Sequence, residues 1–221
     1  MSFAFSFDRT PGPATFRILT VCTGNICRSP FAEQYLRRGL RSAGLDHILL
    51  ESAGTMAQDG QAMPPPAVDL ASRYGVADAA SHKARYLFEG HIAGADLVLG
   101  MGLEHRKAVV SLFPRASRYA FTLREFARLS ADMTIDDLAE SASLDSSDIA
   151  GRLRAAVSSV AARRGLVAPA ASPIDEDIVD PYKLDEAVYE QSGRQLVPAA
   201  DVLIRLFTAA VTARDPRKTE H

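Results

Sequence analysis

The sequence predicts an α/β protein built on a parallel sheet with helices covering both faces. Two observations predict it. Short apolar or β-branched stretches alternate with stretches that are apolar at every third or fourth position, and the intervals between successive strands leave room for a crossover helix. The first strand spans 16–21, with Arg17 the polar exception. A turn-like Thr23-Gly24-Asn25 follows, and Ser29-Pro30 opens a helix. Phe31, Ala32, Tyr35, Leu36 and Leu40 recur in it at helical period, and Gly44 supplies the stop. A second short strand, 48–50, runs out at Ser52-Ala53-Gly54. Pro64 to Pro66 open a helix that Gly75 closes. The third strand, 95–101, is apolar apart from Asp96; a helix over 103–112 and a fourth strand over 118–121 follow. Thr122 is the N-cap of a helix over 123–129, with Glu125 at the capping-box position.

The composition then shifts. Residues 131–148 are acidic and Ser-rich. From about Asp148 a helix places Ile149, Leu153, Val157, Val160 and Ala161 on one face, and Gly165 ends it. A Pro/Ala loop leads to Asp180-Pro181-Tyr182. The last helical stretch covers about 185–211, with Gly193 and Pro198 as candidate breaks. There is no internal repeat. The chain reads as a single domain over 1–221 with a mostly helical insert at about 131–175, and 1–14 and 214–221 read as flexible ends.

With 47% hydrophobic and 24% charged residues, the 221-residue chain has the composition of a soluble globular protein. Its 25 basic and 27 acidic residues are scattered, which speaks against a nucleic-acid or anionic-membrane partner. No run reads as a membrane span, and the N-terminus lacks the basic and apolar regions of a signal peptide. Cys22 and Cys27 lie in one loop, where a disulfide would close a tiny ring and staple little. A reducing, cytoplasmic setting fits better. No metal or organic cofactor is expected, and oligomeric state is not legible.

The chemistry lies in Val21-Cys22-Thr23-Gly24-Asn25-Ile26-Cys27-Arg28-Ser29-Pro30. Between a strand and a helix, the residues separating Cys22 from Arg28 can curl around an anion, with N–H groups inward and the helix N-terminus adding positive potential. Gly24 permits unusual dihedrals, and Asn25 tolerates positive φ. A thiolate of Cys22 at the base, favoured by backbone dipoles and Arg28, would face a phosphorus in line with the departing oxygen. Arg28 offers a planar fork for two phosphate oxygens, and Ser29 can donate to the sulfur when it leaves. A bare Cys and Arg at this spacing is a weak pattern; the Gly24-Asn25 turn and the strand–loop–helix setting strengthen it.

Departure of the alcohol also needs a proton donor. Asp175, Glu176, Asp177, Asp180 and Asp185 are candidates, and spacing does not choose among them. Pro181 stiffens the backbone after Asp180, although Asp-Pro is equally a common turn.

The stretch VCTGNICRSPFAE resembles the signature of low-molecular-weight protein-tyrosine phosphatases. The similarity continues through Ser52-Ala53-Gly54-Thr55, Ser81-His82-Lys83-Ala84-Arg85, Asp96-Leu97-Val98-Leu99 and Asp180-Pro181-Tyr182. The resemblance implies a flavodoxin-like three-layer fold with a four-stranded parallel sheet, and hydrolysis of a phosphomonoester through a phosphocysteine. By motif, Cys22 matches the nucleophile, Arg28 the phosphate clamp and Asp180 the general acid. Thr23, Gly24, Asn25, Ile26, Cys27 and Ser29 match the phosphate-binding loop, and Asn25, Ser29, Ser52 and His82 the network that shapes it. Cys27 matches a second loop cysteine that can trap Cys22 as a reversible disulfide. The implied partner is a phosphorylated protein, phosphotyrosine first.

The sequence departs from that family at four places. The insert precedes Asp180. Lys183 stands where many members have a second aromatic ring. No ring lies near 56–58, which leaves Tyr182 and Met56 as the substrate cleft. Gly102 follows Met101 where Asp is common. Alternatives on the same loop are a protein-arginine phosphatase, which apolar Ile26 disfavours, an arsenate reductase using a low-molecular-weight thiol, and a non-catalytic phosphate-binding protein. Because the insert leads directly into Asp180, it is expected to border the cleft.

Overall fold

A computed structural model of the chain describes residues 15–214. The parallel sheet forms because its strands are apolar on both sides. Ile18, Leu97, Leu99 and Phe121 face one core, while Leu19, Val21, Val98 and Ala120 face the other. In chain order the elements begin β1 (Arg17–Cys22), α1 (Arg28–Ser42), β2 (Leu49–Gly54), α2 (Pro65–Arg73), α3 (Glu89–Ala93) and β3 (Leu97–Gly100). They continue α4 (Leu103–Leu112), β4 (Ala120–Thr122), α5 (Leu123–Ser130), α6 (Ala139–Ser143), α7 (Ile149–Ala162) and α8 (Glu186–Thr212). All pairings are parallel, in the order β2-β1-β3-β4. Helices α1, α2, α5, α7 and α8 supply the larger core; α3 and α4 cover the opposite face. The expected flavodoxin-like, three-layer arrangement with four parallel strands is therefore present. The chain leaves β1 toward one side for β2 and returns to the other for β3, so the carboxyl end of β1 opens a crevice at the switch point. Cys22 is its last residue.

The expected local signals recur in the structure. Pro65 begins α2, Thr122 and Glu125 form the capping box of α5, and Asp148 and Asp185 cap α7 and α8. Three expectations are corrected. Helix α8 does not break at Gly193 or Pro198 but runs unbroken for 27 residues. Proline costs about 3 kcal/mol in a helix interior. Here the carbonyl it leaves unpaired belongs to exposed Arg194, and Leu196, Ala199, Ala200 and Leu203 are buried around it. This same helix is long and apolar enough to cross a membrane, contrary to the reading that no run was, but it packs against α1, α2, α5, α6 and α7. Finally, the insert does not border the cleft. Helices α6 and α7 pack on α8, and Arg154 of α7 pairs with Asp96, which also accepts the Arg17 N–H at the start of β1. That end of β1 lies roughly 17 Å from Cys22 at ~3.3 Å per residue. Of the expected flexible ends, 1–14 lies outside the described residues, as does all of 214–221 except Arg214.

Candidate active site

Residues 22–28 turn from β1 into α1 and are buried or half-buried. The strand hands over to the loop at Cys22, whose sulfur is buried at its base. Two groups converge on that sulfur: the Asn25 N–H donates to it at 3.2 Å and the Ser29 hydroxyl lies within hydrogen-bond distance at 3.0 Å. Asn25 Nδ2 donates to Ser29 Oγ at 2.9 Å, which leaves the Ser29 proton for the sulfur or for the Ala53 carbonyl at 3.4 Å. Both contacts fix the sulfur at the base of the loop. The N-cap position of α1, Cys27, makes no side-chain capping bond, so the leading amides of the helix stay available to an anion.

Within the loop, Asn25 is the residue in a strained conformation. It has φ 52° and is fully buried, a conformation that persists only when the surroundings over-determine it. The Arg85 N–H donates to Asn25 Oδ1 at 2.9 Å, and His82 Nε2 bonds the Asn25 carbonyl at 2.7 Å. Since a carbonyl only accepts, His82 carries its proton on Nε2. Burial holds the His82 pKa below its usual value, with the Asn25 carbonyl opposing. Gly24, expected to take the unusual dihedrals, has no positive φ. Ser52 acts at one remove: its hydroxyl donates to Glu33 at 2.5 Å and its carbonyl accepts from Arg85 Nε at 2.6 Å. Gly54 shows why a glycine ends β2. A Cβ there would come within 2.5 Å of the Thr23 carbonyl and 2.8 Å of the Asn25 nitrogen.

Arg28 is 5% exposed. Its Nη1 donates to the Ile178 carbonyl at 3.1 Å and its Nη2 to Asp180 Oδ2 at 2.5 Å, while Nε has no partner among the described residues. The guanidinium is thus held at the loop with an N–H to spare. Among the five candidate acids, four are engaged elsewhere. Asp175 caps a short turn at Ser172, Glu176 pairs with Arg128, Asp177 accepts from the Leu103 N–H and Asp185 caps α8. Asp180 alone lines the cleft, with its side chain 48% exposed.

The cleft measures about 250 Å³ and is lined by Cys22, Thr23, Gly24, Ile26, Cys27, Arg28, Met56, Gln61, Asp180 and Tyr182. Every loop and cleft residue expected from the sequence except Asn25 and Ser29 is on that wall, and those two sit behind it. Met56 is 76% exposed at the rim, its N–H bonded to the Thr23 carbonyl. Lys183 Nζ lies over the Tyr182 ring, 5.1 Å from its centre. A larger cavity of about 440 Å³, walled by Arg115, Arg118 and Arg154, has no cysteine in its lining. No residue of 131–175 lines the cleft.

Cys27 is a buried thiol pushed up to about 12, by burial first and then by the neighbouring Cys22. Both cysteines are free. Sequence reasoning missed Glu33, Arg85, Gln61 and His105. His105 is buried, bonds Thr23 Oγ1 at 3.0 Å and is pushed down to about 3 by burial and by Arg28, so it is neutral. No sequence signal marks it, since a histidine in α4 reads as a surface residue.

A family model for low molecular weight phosphotyrosine protein phosphatase matches residues 17–163, more than half of the chain. A probable low molecular weight protein-tyrosine-phosphatase of Ralstonia solanacearum is 34% identical over 115 residues, 52% of this chain and 75% of that protein. A protein-arginine-phosphatase of Geobacillus stearothermophilus is 36% identical over 111 residues, 50% of this chain and 71% of that protein. The crystal structure of a low molecular weight protein tyrosine phosphatase from T. tengcongensis superimposes with a TM-score of 0.60 at 29% identity, covering 86% of this chain and 99% of that one.

Proposed function

This chain belongs to the low molecular weight phosphotyrosine protein phosphatase family, and on that premise we propose that it hydrolyses phosphotyrosine in proteins, with Cys22 as nucleophile, Arg28 as phosphate clamp and Asp180 as general acid. The observation that carries the reading is the buried Cys22 sulfur, held by the Asn25 N–H and the Ser29 hydroxyl, with Arg28 and Asp180 on the same wall. The incoming phosphate dianion takes Asp180's place on Arg28, and the freed Asp180 carboxylate takes up a proton from solvent before it acts as acid. The Cys22 thiolate then attacks phosphorus, the P–O ester bond breaks, and Asp180 passes its proton to the departing oxygen. In the second step Asp180 takes a proton from water, the water oxygen bonds to phosphorus, and the S–P bond breaks while Ser29 donates to the sulfur.

Apolar Ile26 on the cleft wall and the Tyr182 ring at its rim support an aryl ester over phosphoarginine. The similarity to both a tyrosine and an arginine phosphatase makes this the distinction to measure. A nucleophile that works only while reduced suits a cytoplasmic setting. The test is one purified preparation against phosphotyrosine, phosphoserine and phosphoarginine peptides and arsenate, beside Cys22→Ser. Turnover of phosphotyrosine alone, lost in Cys22→Ser, is expected. Preference for phosphoarginine or arsenate would overturn the substrate, and equal activity of the two proteins would overturn the nucleophile. Binding without turnover by either protein would make this a phosphate sensor.

A further inference from the structure

The main chain around Met101 joins the nucleophile to the acid. The Met101 N–H donates to the Val21 carbonyl at 2.8 Å, and the Met101 carbonyl accepts the Ile178 N–H at 2.9 Å. Val21 immediately precedes Cys22, and Ile178 stands two residues before Asp180. Both Met101 and Ile178 are buried. A single residue therefore bridges the strand that ends in the nucleophile and the segment that carries the carboxyl.

The fastener of that segment is a side chain. Helix α4 begins at Leu103, and its N-cap, Gly102, has no side chain to satisfy the leading amides. Asp177 does so from elsewhere in the chain, accepting the Leu103 N–H on Oδ1 at 2.7 Å. Gly102 is extended, at φ −175° and ψ 171°, so its backbone suits any residue. Its lack of a Cβ matters for space instead: a Cβ would lie 2.8 Å from Asp177 Oδ1 and 3.1 Å from its carboxyl carbon. Arg124 adds a bond to the Asp177 carbonyl at 2.9 Å, and Gln195 one from the Val179 N–H at 2.8 Å. From 177 to 179 the segment is held at every residue, and Asp180 is the first whose side chain reaches the cleft.

We infer that Asp177 is a positioning residue for the general acid, and that Gly102 is the space it requires. The inference rests on Asp180 being that acid. Proton transfer needs a carboxyl within hydrogen-bond reach of the leaving oxygen, and displacements near 1 Å cost up to about a hundredfold. Loosening Asp177 should therefore be felt where protonation of the leaving group matters most.

The experiment measures kcat on a series of aryl phosphates of rising leaving-group pKa, with thermal melting alongside. The variants are Asp177→Ala, Asp177→Asn, Gly102→Ala, Asp180→Asn and the double Asp177→Ala/Asp180→Asn. Asp177→Ala and Gly102→Ala should lose roughly tenfold or more on the poorest leaving group and much less on the best. Asp177→Asn keeps an acceptor oxygen and should recover most of the loss. The double variant should be no slower than Asp180→Asn alone, since both act through one group. Equal losses across the series, following the melting temperature, would make Asp177 a structural cap and overturn the inference. A flat series for Asp180→Asn would remove the acid assignment and the inference with it. A sloped series for Asp180→Asn beside a flat one for Asp177→Ala and Gly102→Ala overturns the inference alone.

Discussion

Replacing Asn25 separates two physical effects that the loop combines. Its side chain makes two bonds, to Ser29 Oγ and from the Arg85 N–H, while its backbone sits at φ 52°. Asn25→Gly removes both bonds but accepts the dihedral without strain. The Arg85 N–H left without its acceptor costs about 1–3 kcal/mol, and the lost bond to Ser29, whose hydroxyl keeps Cys22 and Ala53 as partners, about 0.5–1.5 kcal/mol, so Asn25→Gly should destabilise the fold by roughly 1.5–4.5 kcal/mol. Asn25→Ala loses the same bonds and adds about 1 kcal/mol for a Cβ in the left-handed region. Turnover should fall in both. Ser29 loses the bond that holds its hydroxyl beside the sulfur, and one weakened hydrogen bond to sulfur of about 1.4 kcal/mol corresponds to about tenfold in rate. The alanine variant should be slower again, because relief of its strain moves the Asn25 N–H off the sulfur. Urea unfolding followed by circular dichroism and kcat/KM on an aryl phosphate measure the two effects separately. Equal stabilities for Gly and Ala would refute the dihedral argument. Unchanged turnover in both would refute the role of Asn25 in holding the thiolate.

Three further outcomes are expected. His105 has a folded pKa of about 3 against the usual 6.5, so below pH 6.5 the unfolded chain takes a proton that the folded protein refuses. Its contribution to stability is complete above pH 6.5 and is lost as pH falls toward 3, at up to about 1.4 kcal/mol per pH unit. Urea midpoints between pH 7 and 4.5 should therefore fall less steeply in His105→Gln than in wild type, and parallel curves would count against a buried neutral histidine. Arg152 is buried in α7, where its guanidinium donates to the carbonyls of Val211, Ala142 and Leu144. Arg152→Ala should cost on the order of 2–4 kcal/mol in unfolding experiments with kcat unchanged, since the insert does not line the cleft; a drop in kcat in the folded variant would show that it reaches the chemistry. Burial is the larger cause of the raised Cys27 thiol, so native Cys22→Ser should resist iodoacetamide at pH 8 and react once unfolded in urea. Labelling of the native variant would mean that Cys27 is more open than this loop allows.

The contiguous part of the site was legible in the sequence because spacing along the chain there is geometry in space. A strand, a short turn and a helix place Cys22, Asn25, Arg28 and Ser29 around one point whatever the rest of the molecule does. The layers were legible for a related reason: strands apolar on both sides can be buried only between two sets of helices.

Other features depended on contacts between distant segments. The five carboxyls from Asp175 to Asp185 are chemically alike, and only packing decided that Asp177 caps α4, Glu176 meets Arg128 and Asp180 meets Arg28. Pro198 reads as a break until the buried neighbours that hold α8 together are counted. The insert runs straight into Asp180 and yet packs away from it. Ser52 supports the loop through Arg85, and His105 reaches it through Thr23. Local sequence sets propensity and period over a few residues. Which side chains from separate elements meet is set by sheet order, register and the filling of the core, and these emerge only when the whole chain is packed.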